Sequence, residues 1–207
     1  MINFDNKLFK KLCIVSAPSG AGKTSLIKKV CKKQNISVCI SDTSRKPREG
    51  EINEVDYNFI EKEVFLKKIK NDEYIEYALV HGNYYGTSVE SAIKLLEKNE
   101  IIIFEIDYQG AEIIKNKIPF SRSIFILPPS LRILEKRLRD RGTDTEDVIT
   151  KRLKNAKLEI SKAYQYDYVL VNDDFEVAEK KLLSYFLDVD MTVDAEIRKE
   201  PLIDKDF

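Results

Sequence analysis

The sequence predicts an α/β fold in which a mostly parallel sheet is flanked by helices. Short apolar runs alternate with amphipathic segments along the chain, as expected for strands joined by crossover helices. Residues 101–106 (IIIFEI) form the most apolar of these runs. With 207 residues, the chain suits one domain with inserted subdomains, and its core needs no disulfide or metal.

The first half of the chain begins with the run LCIVSA, which predicts a buried strand over residues 12–17. Residues 23–34 predict a helix because their apolar side chains share one face and their lysines share the solvated face. Residues 42–87 then interrupt the alternation and predict an insertion at the ligand-binding end of the sheet. Within or before this insertion, strands are predicted over residues 36–40, 57–60 and 74–80, a loop over 43–54 and a helix at EKEVFLKKIKN.

The second half of the chain continues with a predicted helix over residues 88–99 and the apolar strand at 101–106. A strand over residues 123–127 is stopped by Pro128 and Pro129. The remaining predicted elements are helices over residues 131–141, 144–163 and 175–187 and a strand over 168–171.

Composition narrows the function classes. Lys plus Arg and Asp plus Glu both total 35, and a zero formal net charge argues against a nucleic-acid-binding domain. Cys13, Cys31 and Cys39 are odd in number and match no zinc spacing, so we expect buried thiols in a reducing compartment. The chain shows no secretory signal and no apolar run near the ~20 residues of a membrane helix. A soluble cytoplasmic protein is therefore expected.

A phosphate-binding loop is predicted over residues 17–24 (APSGAGKT), between the first strand and the first helix. Gly20 and Gly22 can adopt positive φ, so that backbone N–H groups approach phosphate oxygens at a helix N-terminus. Lys23 can reach the β- and γ-phosphates, and Thr24 offers a hydroxyl to Mg²⁺. This P-loop predicts binding of a nucleoside triphosphate.

A second phosphate site is indicated by the segment SDTSRKPREGE, which starts at Ser41. Arg45 and Arg48 lie three residues apart in a loop stiffened by proline and glycine, which suits a clamp for a small phosphate. The hydroxyl of Tyr57 could add a third donor. The alternative is a basic surface loop with solvated arginines.

A base-recognition site is indicated by the segments YIEY and GNYYGT. The carboxylate of Glu76 could accept from N1–H and N2–H₂ of guanine together, a donor pair that adenine lacks. Hydroxyls of Ser41 and Thr87 could donate to O6. A site built on such hydrogen bonds can reject an analogue by roughly 10⁴–10⁵. The alternative for Glu76 is an exposed strand glutamate.

Arginines also cluster in the segment RLRDRGTDTE, which starts at Arg137, and at Arg152. Arginines on a mobile helix pair can close over a triphosphate and spread transition-state charge. The alternative is salt bridging on the helix surface, which we expect of Arg139.

Taken together, these segments resemble guanylate kinase over roughly residues 12–187. The resemblance rests on APSGAGKT, TSRKPREGE with DYNF, YIEY, GNYYGTS, EIDYQGA, RLRDRGTDTED with KRL, and VNDD, in matching order and spacing. It implies a P-loop core (residues 8–41, 88–136 and 158–190), a mixed α/β GMP-binding insertion (42–87) and a helical lid (137–157), followed by a loose tail (191–207).

The resemblance also implies roles for individual residues. The ATP-binding set is Ala17, Pro18, Ser19, Gly20, Ala21, Gly22, Lys23, Thr24, Ser25 and Asn172, the last in a segment near adenine. The GMP-binding set is Ser41, Arg45, Arg48, Tyr57, Glu76, Tyr85, Thr87, Glu105 and Asp107. The catalytic set is Lys23, Arg45, Arg137, Arg141 and Arg152. Mg²⁺ would be held by Thr24, with Glu105 acting through water.

Two residues depart from the family pattern. Ala17 occupies the first position of the P-loop, where the strict pattern has Gly, and its backbone should stay at negative φ. Glu54 stands where Gly is common, and positive φ there would cost Glu about 1 kcal/mol or more.

The implied reaction is Mg²⁺-dependent phosphoryl transfer from ATP to GMP, and to dGMP, by in-line attack without a catalytic base. The expected partners are these small molecules, with no nucleic acid or membrane, in a monomer or a homodimer. Two alternatives remain: a kinase for another acceptor, and a binding module of the same fold that does no chemistry. Such modules lose P-loop and lid residues, which are present here.

Overall fold

The structure is a computed structural model that describes residues 11–32, 35–80, 82–98, 101–140, 142 and 144–187. Its strands are β1 (Leu12–Ser16), β2 (Ile36–Val38), β3 (Asp42–Thr43), β4 (Asn58–Phe59), β5 (Tyr74–Val80), β6 (Asn83–Ser88), β7 (Ile101–Glu105), β8 (Arg122–Leu127) and β9 (Tyr168–Val171). Its α-helices are α1 (Lys23–Cys31), α2 (Lys62–Lys70), α3 (Val89–Leu96), α4 (Tyr108–Lys117), α5 (Leu131–Asp140), α6 (Glu146–Ile160) and α7 (Phe175–Leu187).

The strands form two sheets. The larger sheet has the order β2-β7-β1-β8-β9, and its β2/β7 and β8/β9 pairs are parallel. The smaller sheet has the order β4-β3-β6-β5 and mixes a parallel β3/β4 pair with antiparallel β3/β6 and β5/β6 pairs. The α/β fold with a mainly parallel core sheet is therefore confirmed.

Contacts between residues divide the chain into two compact units. Within the described ranges, the first unit holds residues 11–14 and 35–122, and the second holds 15–32 and 123–187. In the first unit, Phe65 of α2 stacks on Tyr74 and Tyr84 at centroid distances of 4.5 and 5.3 Å. In the second unit, Leu134, Leu138, Ile149 and Ala156 join α5 and α6 in one apolar cluster.

Most predicted elements are present, but three were missed and several were shortened. Residues 42–43 form β3 because they pair with β4 and β6, although a loop was predicted to start at residue 43. The elements predicted over 23–34, 36–40 and 88–99 span Lys23–Cys31, Ile36–Val38 and Val89–Leu96. Residues 83–88 form β6, although NYYGTS has little strand pattern of its own, because the segment pairs with β3 and β5. Residues 108–117 form α4, whose buried face is only Gly110, Ala111 and Ile114. The helix predicted over 144–163 spans Glu146–Ile160 and gives way to a 3₁₀ turn at Ala163–Gln165.

Glu54 adopts the left-handed conformation that its family position suggested, with φ 65°. Its N–H donates to the carbonyl of Tyr57 at 2.9 Å in the turn before β4. The backbone of Ala17 does not adopt positive φ, as expected. No helix within these described ranges is long and apolar enough to cross a membrane.

Candidate active site

The P-loop lies between β1 and α1 in the second unit. Gly20 and Gly22 adopt φ 99° and 92°, a conformation that L side chains rarely take. The loop closes through a hydrogen bond of 3.1 Å from Ala21 N–H to the Pro18 carbonyl. Helix α1 begins after Gly22 without a side-chain cap, so its first N–H groups suit an anion. Lys23 is half-buried at this end, and Thr24 and Ser25 are exposed.

Two of the predicted lid arginines lie against this loop. Arg152 donates to the hydroxyl of Ser19 at 2.6 Å and to Asp144 at 3.3 Å. Arg137 donates to the backbone carbonyl of Asn172 at 3.0 Å and lies 3.4 Å from that of Ala21. The structure thus brings two arginines from α5 and α6 to the P-loop.

Arg139 and Arg141 are the other two arginines of the predicted lid. Arg139 is exposed and pairs with Glu135 and Glu146, so the expected surface salt bridging is confirmed. Arg141 lies outside the described residues, as does the tail predicted over residues 191–207.

The arginine clamp lies in the first unit, and its two arginines are held differently. The guanidinium of Arg45 donates to both carboxylate oxygens of Glu51 at 2.9 Å, to the hydroxyl of Tyr85 at 3.1 Å and to the carbonyl of Lys46 at 2.7 Å. Little of its donor capacity is left unused. The side chain of Arg48 is 54% exposed, and its nearest approach to Glu51 is 3.9 Å. Arg45 is therefore fixed in place, whereas Arg48 is free to reorient.

Tyr57 packs beside this pair. Its ring meets that of Tyr85 edge-to-face at 5.8 Å, and the guanidinium of Arg45 lies 5.5 Å from its centre. Burial and the charge of Glu105 raise the pKa of the Tyr57 hydroxyl. The hydroxyl therefore stays protonated near neutral pH and can donate to a phosphate oxygen.

Glu76 is buried on β5, with only 3% of its surface exposed. Its carboxylate accepts from the hydroxyl of Thr87 at 2.6 Å, and the Thr87 hydroxyl lies 3.4 Å from that of Ser41. Burial raises the pKa of Glu76 to about 7, against the lowering effect of the Thr87 hydrogen bond. The exposed-strand alternative is wrong, and the three predicted base-reading side chains lie together.

Asp107 and Glu105 flank the end of β7. Asp107 caps α4, because its carboxylate accepts from the N–H of Gly110 at 2.9 Å. One carboxylate oxygen of Asp107 is thus committed to the helix. Glu105, the last residue of β7, is half-buried.

Three residues of the site were missed from the sequence. Glu51 holds Arg45, and hydrogen bonds from Arg45 and the N–H of Arg48 lower its pKa although burial raises it. The sequence feature that could have identified Glu51 is a carboxylate in the same loop as the two arginines. Gly110 gives Glu76 room, because a Cβ there would lie 2.8 Å from a Glu76 carboxylate oxygen. Asp42, next to Ser41, accepts from Asn58, Lys68 and Tyr74 at 2.9, 2.7 and 2.7 Å.

The residues present fit a Mg²⁺ ion that arrives with a nucleotide. Mg²⁺ usually takes one or two protein oxygens and completes its shell with phosphates and water. The exposed hydroxyl of Thr24 suits that arrangement. Across the described ranges, no group of three or more His, Cys, Asp and Glu side chains could hold a metal by itself.

The P-loop and its arginines define the class of protein as a nucleotide-dependent phosphotransferase of the α/β type. The guanylate kinase family model matches residues 9–199. Guanylate kinase of Hydrogenovibrio crunogenus is 46% identical over 177 residues, or 85% of this chain and 86% of that protein. Guanylate kinase of Fusobacterium nucleatum is 48% identical over 173 residues, or 84% and 94%. The crystal structure of guanylate kinase from Anaplasma phagocytophilum has a TM-score of 0.70 at 33% identity, covering 88% and 87%. The chain belongs to the guanylate kinase family.

Proposed function

We propose that this enzyme transfers the γ-phosphoryl group of ATP to GMP, and also to dGMP, giving ADP and GDP. The observation that carries the choice of acceptor is the buried Glu76 carboxylate with the hydroxyls of Thr87 and Ser41 beside it. The carboxylate calls for adjacent N–H donors on the base. The Ser41 hydroxyl can donate to a base carbonyl, whereas the single proton of Thr87 is already donated to Glu76. Guanine has this pattern, whereas adenine does not.

In the proposed reaction, an oxygen of the GMP phosphate forms a bond to Pγ while the bond from Pγ to the β-phosphate oxygen breaks. The attacking oxygen is already an anion, so no base is required. Arg45, Arg48 and the Tyr57 and Tyr85 hydroxyls would hold the acceptor phosphate, since Arg45 and the tyrosines already adjoin each other. Asp107 and Glu105 would complete the acceptor site at the end of β7.

On the donor side, Lys23, Arg137, Arg141 and Arg152 would hold the triphosphate and balance the charge that accumulates in the transition state. Residues 17–25 would supply the cradle of N–H groups. Mg²⁺ would be bound by Thr24, with Glu105 acting through water, and would neutralise charge on the phosphates.

Several finer features belong to the same proposal. Residues 42–87 would form the acceptor region and 137–157 a lid, since Arg137 and Arg152 of that segment contact the P-loop. The three free cysteines fit a reducing compartment, which supports a cytoplasmic location. Monomer and homodimer both remain compatible with the proposal, and no nucleic acid or membrane partner is proposed.

The test is an ADP-release assay with ATP and Mg²⁺ that compares GMP, dGMP, AMP, CMP, UMP and no acceptor. Fast release only with GMP or dGMP is expected. Equal activity with another monophosphate would overturn the guanine assignment. No turnover with any acceptor, from folded protein that binds GMP, would favour the binding-module alternative.

A further inference from the structure

Asn172 follows β9 and lies against the P-loop within the second unit. Only 3% of its surface is exposed, and its backbone N–H donates to the carbonyl of Leu127 at 2.8 Å. Its side-chain Nδ2 donates to the backbone carbonyl of Ala21 at 2.7 Å. Because a carbonyl can only accept, this contact fixes which end of the amide faces the loop.

The loop is shaped to receive this amide. A Cβ on Gly22 would lie 2.4 Å from the Asn172 Nδ2, so the two groups fit only because residue 22 is glycine. The backbone carbonyl of Asn172 also accepts from Arg137 at 3.0 Å. One residue therefore contacts both the P-loop and an arginine that adjoins it.

The two ends of the amide suggest two different roles. The donor end is bonded to the protein. The acceptor end, Oδ1, is buried and has no hydrogen-bond donor in the described part of the chain. A residue that reads adenine would use the acceptor end, since adenine presents an exocyclic amine. A residue that fixes the loop would use the donor end.

We propose that Asn172 is a positioning residue that fixes the Ala21 carbonyl and Arg137, and that it acts on the triphosphate without recognising the base. The inference rests on the proposed function, in which the triphosphate is the phosphoryl donor. With Ala21 held, the flanking N–H groups of the loop keep the orientation that phosphate oxygens require. The base attached to the triphosphate is immaterial to this role.

The test compares Asn172→Asp and Asn172→Ala with the wild type. Asp has the same shape but places an acceptor against the Ala21 carbonyl, whereas Ala removes the amide. Asp173→Asn is the matched control, because the neighbouring Asp173 is exposed. Calorimetry measures binding of ATP, of ITP, which lacks the exocyclic amine, of inorganic tripolyphosphate with Mg²⁺, and of GMP.

Both Asn172 variants are expected to weaken binding of ATP, ITP and tripolyphosphate by the same factor, about 10- to 100-fold for a lost buried hydrogen bond. GMP binding and the control variant should be unchanged. Weaker binding of ATP alone would show that Asn172 reads adenine and would overturn the inference. Equal weakening of GMP and the triphosphates would reduce the role to general stability and would also overturn it.

Two variants are compared so that a failure of one to fold does not end the test. Thermal unfolding without ligand identifies a variant that does not fold. If Asn172→Asp does not fold, Asn172→Ala carries the same comparison of ligands. The assay measures binding and not turnover, so it separates the two proposals. A wild type that binds tripolyphosphate but does not phosphorylate GMP would refute the proposed function and leave this inference standing.

Discussion

Replacing Glu51 with Gln should weaken binding of the acceptor phosphate without affecting the ATP site. Glu51 accepts from two nitrogens of Arg45 at 2.9 Å and from the N–H of Arg48 at 2.7 Å. Gln keeps one acceptor oxygen but turns an NH₂ group toward Arg45, so one charge-assisted bond is lost and two donors face each other. Such a bond contributes about 1.5–3 kcal/mol.

The magnitude follows from the exposure of the pair. The side chains of Arg45 and Glu51 are 12% and 19% exposed, so water screens them only in part. Part of the lost energy is recovered when Arg45 reorients, and we expect the KM for GMP to rise about tenfold, which corresponds to 1.4 kcal/mol. The KM for ATP should stay within about twofold, because the described hydrogen bonds of the Glu51 side chain all come from Arg45 and Arg48.

The assay is ADP release at saturating ATP with GMP varied. Glu135→Gln is the matched control, because it removes a carboxylate from an exposed arginine pair with Arg139. Binding of guanosine, which has no phosphate, should be the same in Glu51→Gln and the wild type. An unchanged KM for GMP would refute the reasoning, and a lower one would mean that Glu51 competes with the phosphate for Arg45.

Three further predictions concern stability and pH. Glu54→Gly should raise the free energy of unfolding by up to about 1 kcal/mol in a thermal melt, because it relieves a left-handed Glu, with the KM for GMP unchanged. The pKa of Glu76 is about 7 in the folded state, above its ordinary value of about 4.5. Between these two pH values the folded state binds more protons than the unfolded state, so the contribution of Glu76 to stability falls as pH rises from about 4.5 to 7. Glu76→Gln should therefore raise Tm at pH 8 more than at pH 5, and a Tm gain independent of pH would contradict this. Asp42→Asn should lower the free energy of unfolding by about 2–3 kcal/mol because it leaves the Lys68 charge poorly compensated; a loss below that of Lys68→Met would argue against this network.

The fold was predictable from the sequence where local pattern and tertiary structure agree. Residues 12–16 of the run LCIVSA form β1 and are all buried, and residues 74–80 form β5 with the predicted bounds. The strand β6 could not be predicted, because NYYGTS gains its strand conformation from pairing with β3 and β5. The P-loop was predictable because its glycines must adopt positive φ, and they do.

The site was predictable as a set of residue types but not as a set of contacts. The sequence predicted Glu76 for the acceptor site. The burial of Glu76 and its raised pKa depend on β6 and on Gly110, a residue that is distant along the chain and whose lack of a Cβ leaves room for the carboxylate. Glu51 was visible in the arginine loop, but only the structure shows that it takes two bonds from Arg45. Contacts of this kind follow from the fold and leave no local pattern.

The two proposed phosphate sites share one electrostatic arrangement, which would let a chain with zero formal net charge bind two polyanions. Three arginines at these sites already have an internal acceptor: Arg45 has Glu51, Arg152 has Ser19, and Arg137 has the Asn172 carbonyl. Burying an arginine without an acceptor would be costly, whereas these remain satisfied before ligand arrives. The proposed phosphates then meet arginines that the protein already orients, so affinity depends on geometry more than on long-range attraction. The arrangement implies that raising salt weakens GMP binding less than Glu51→Gln does.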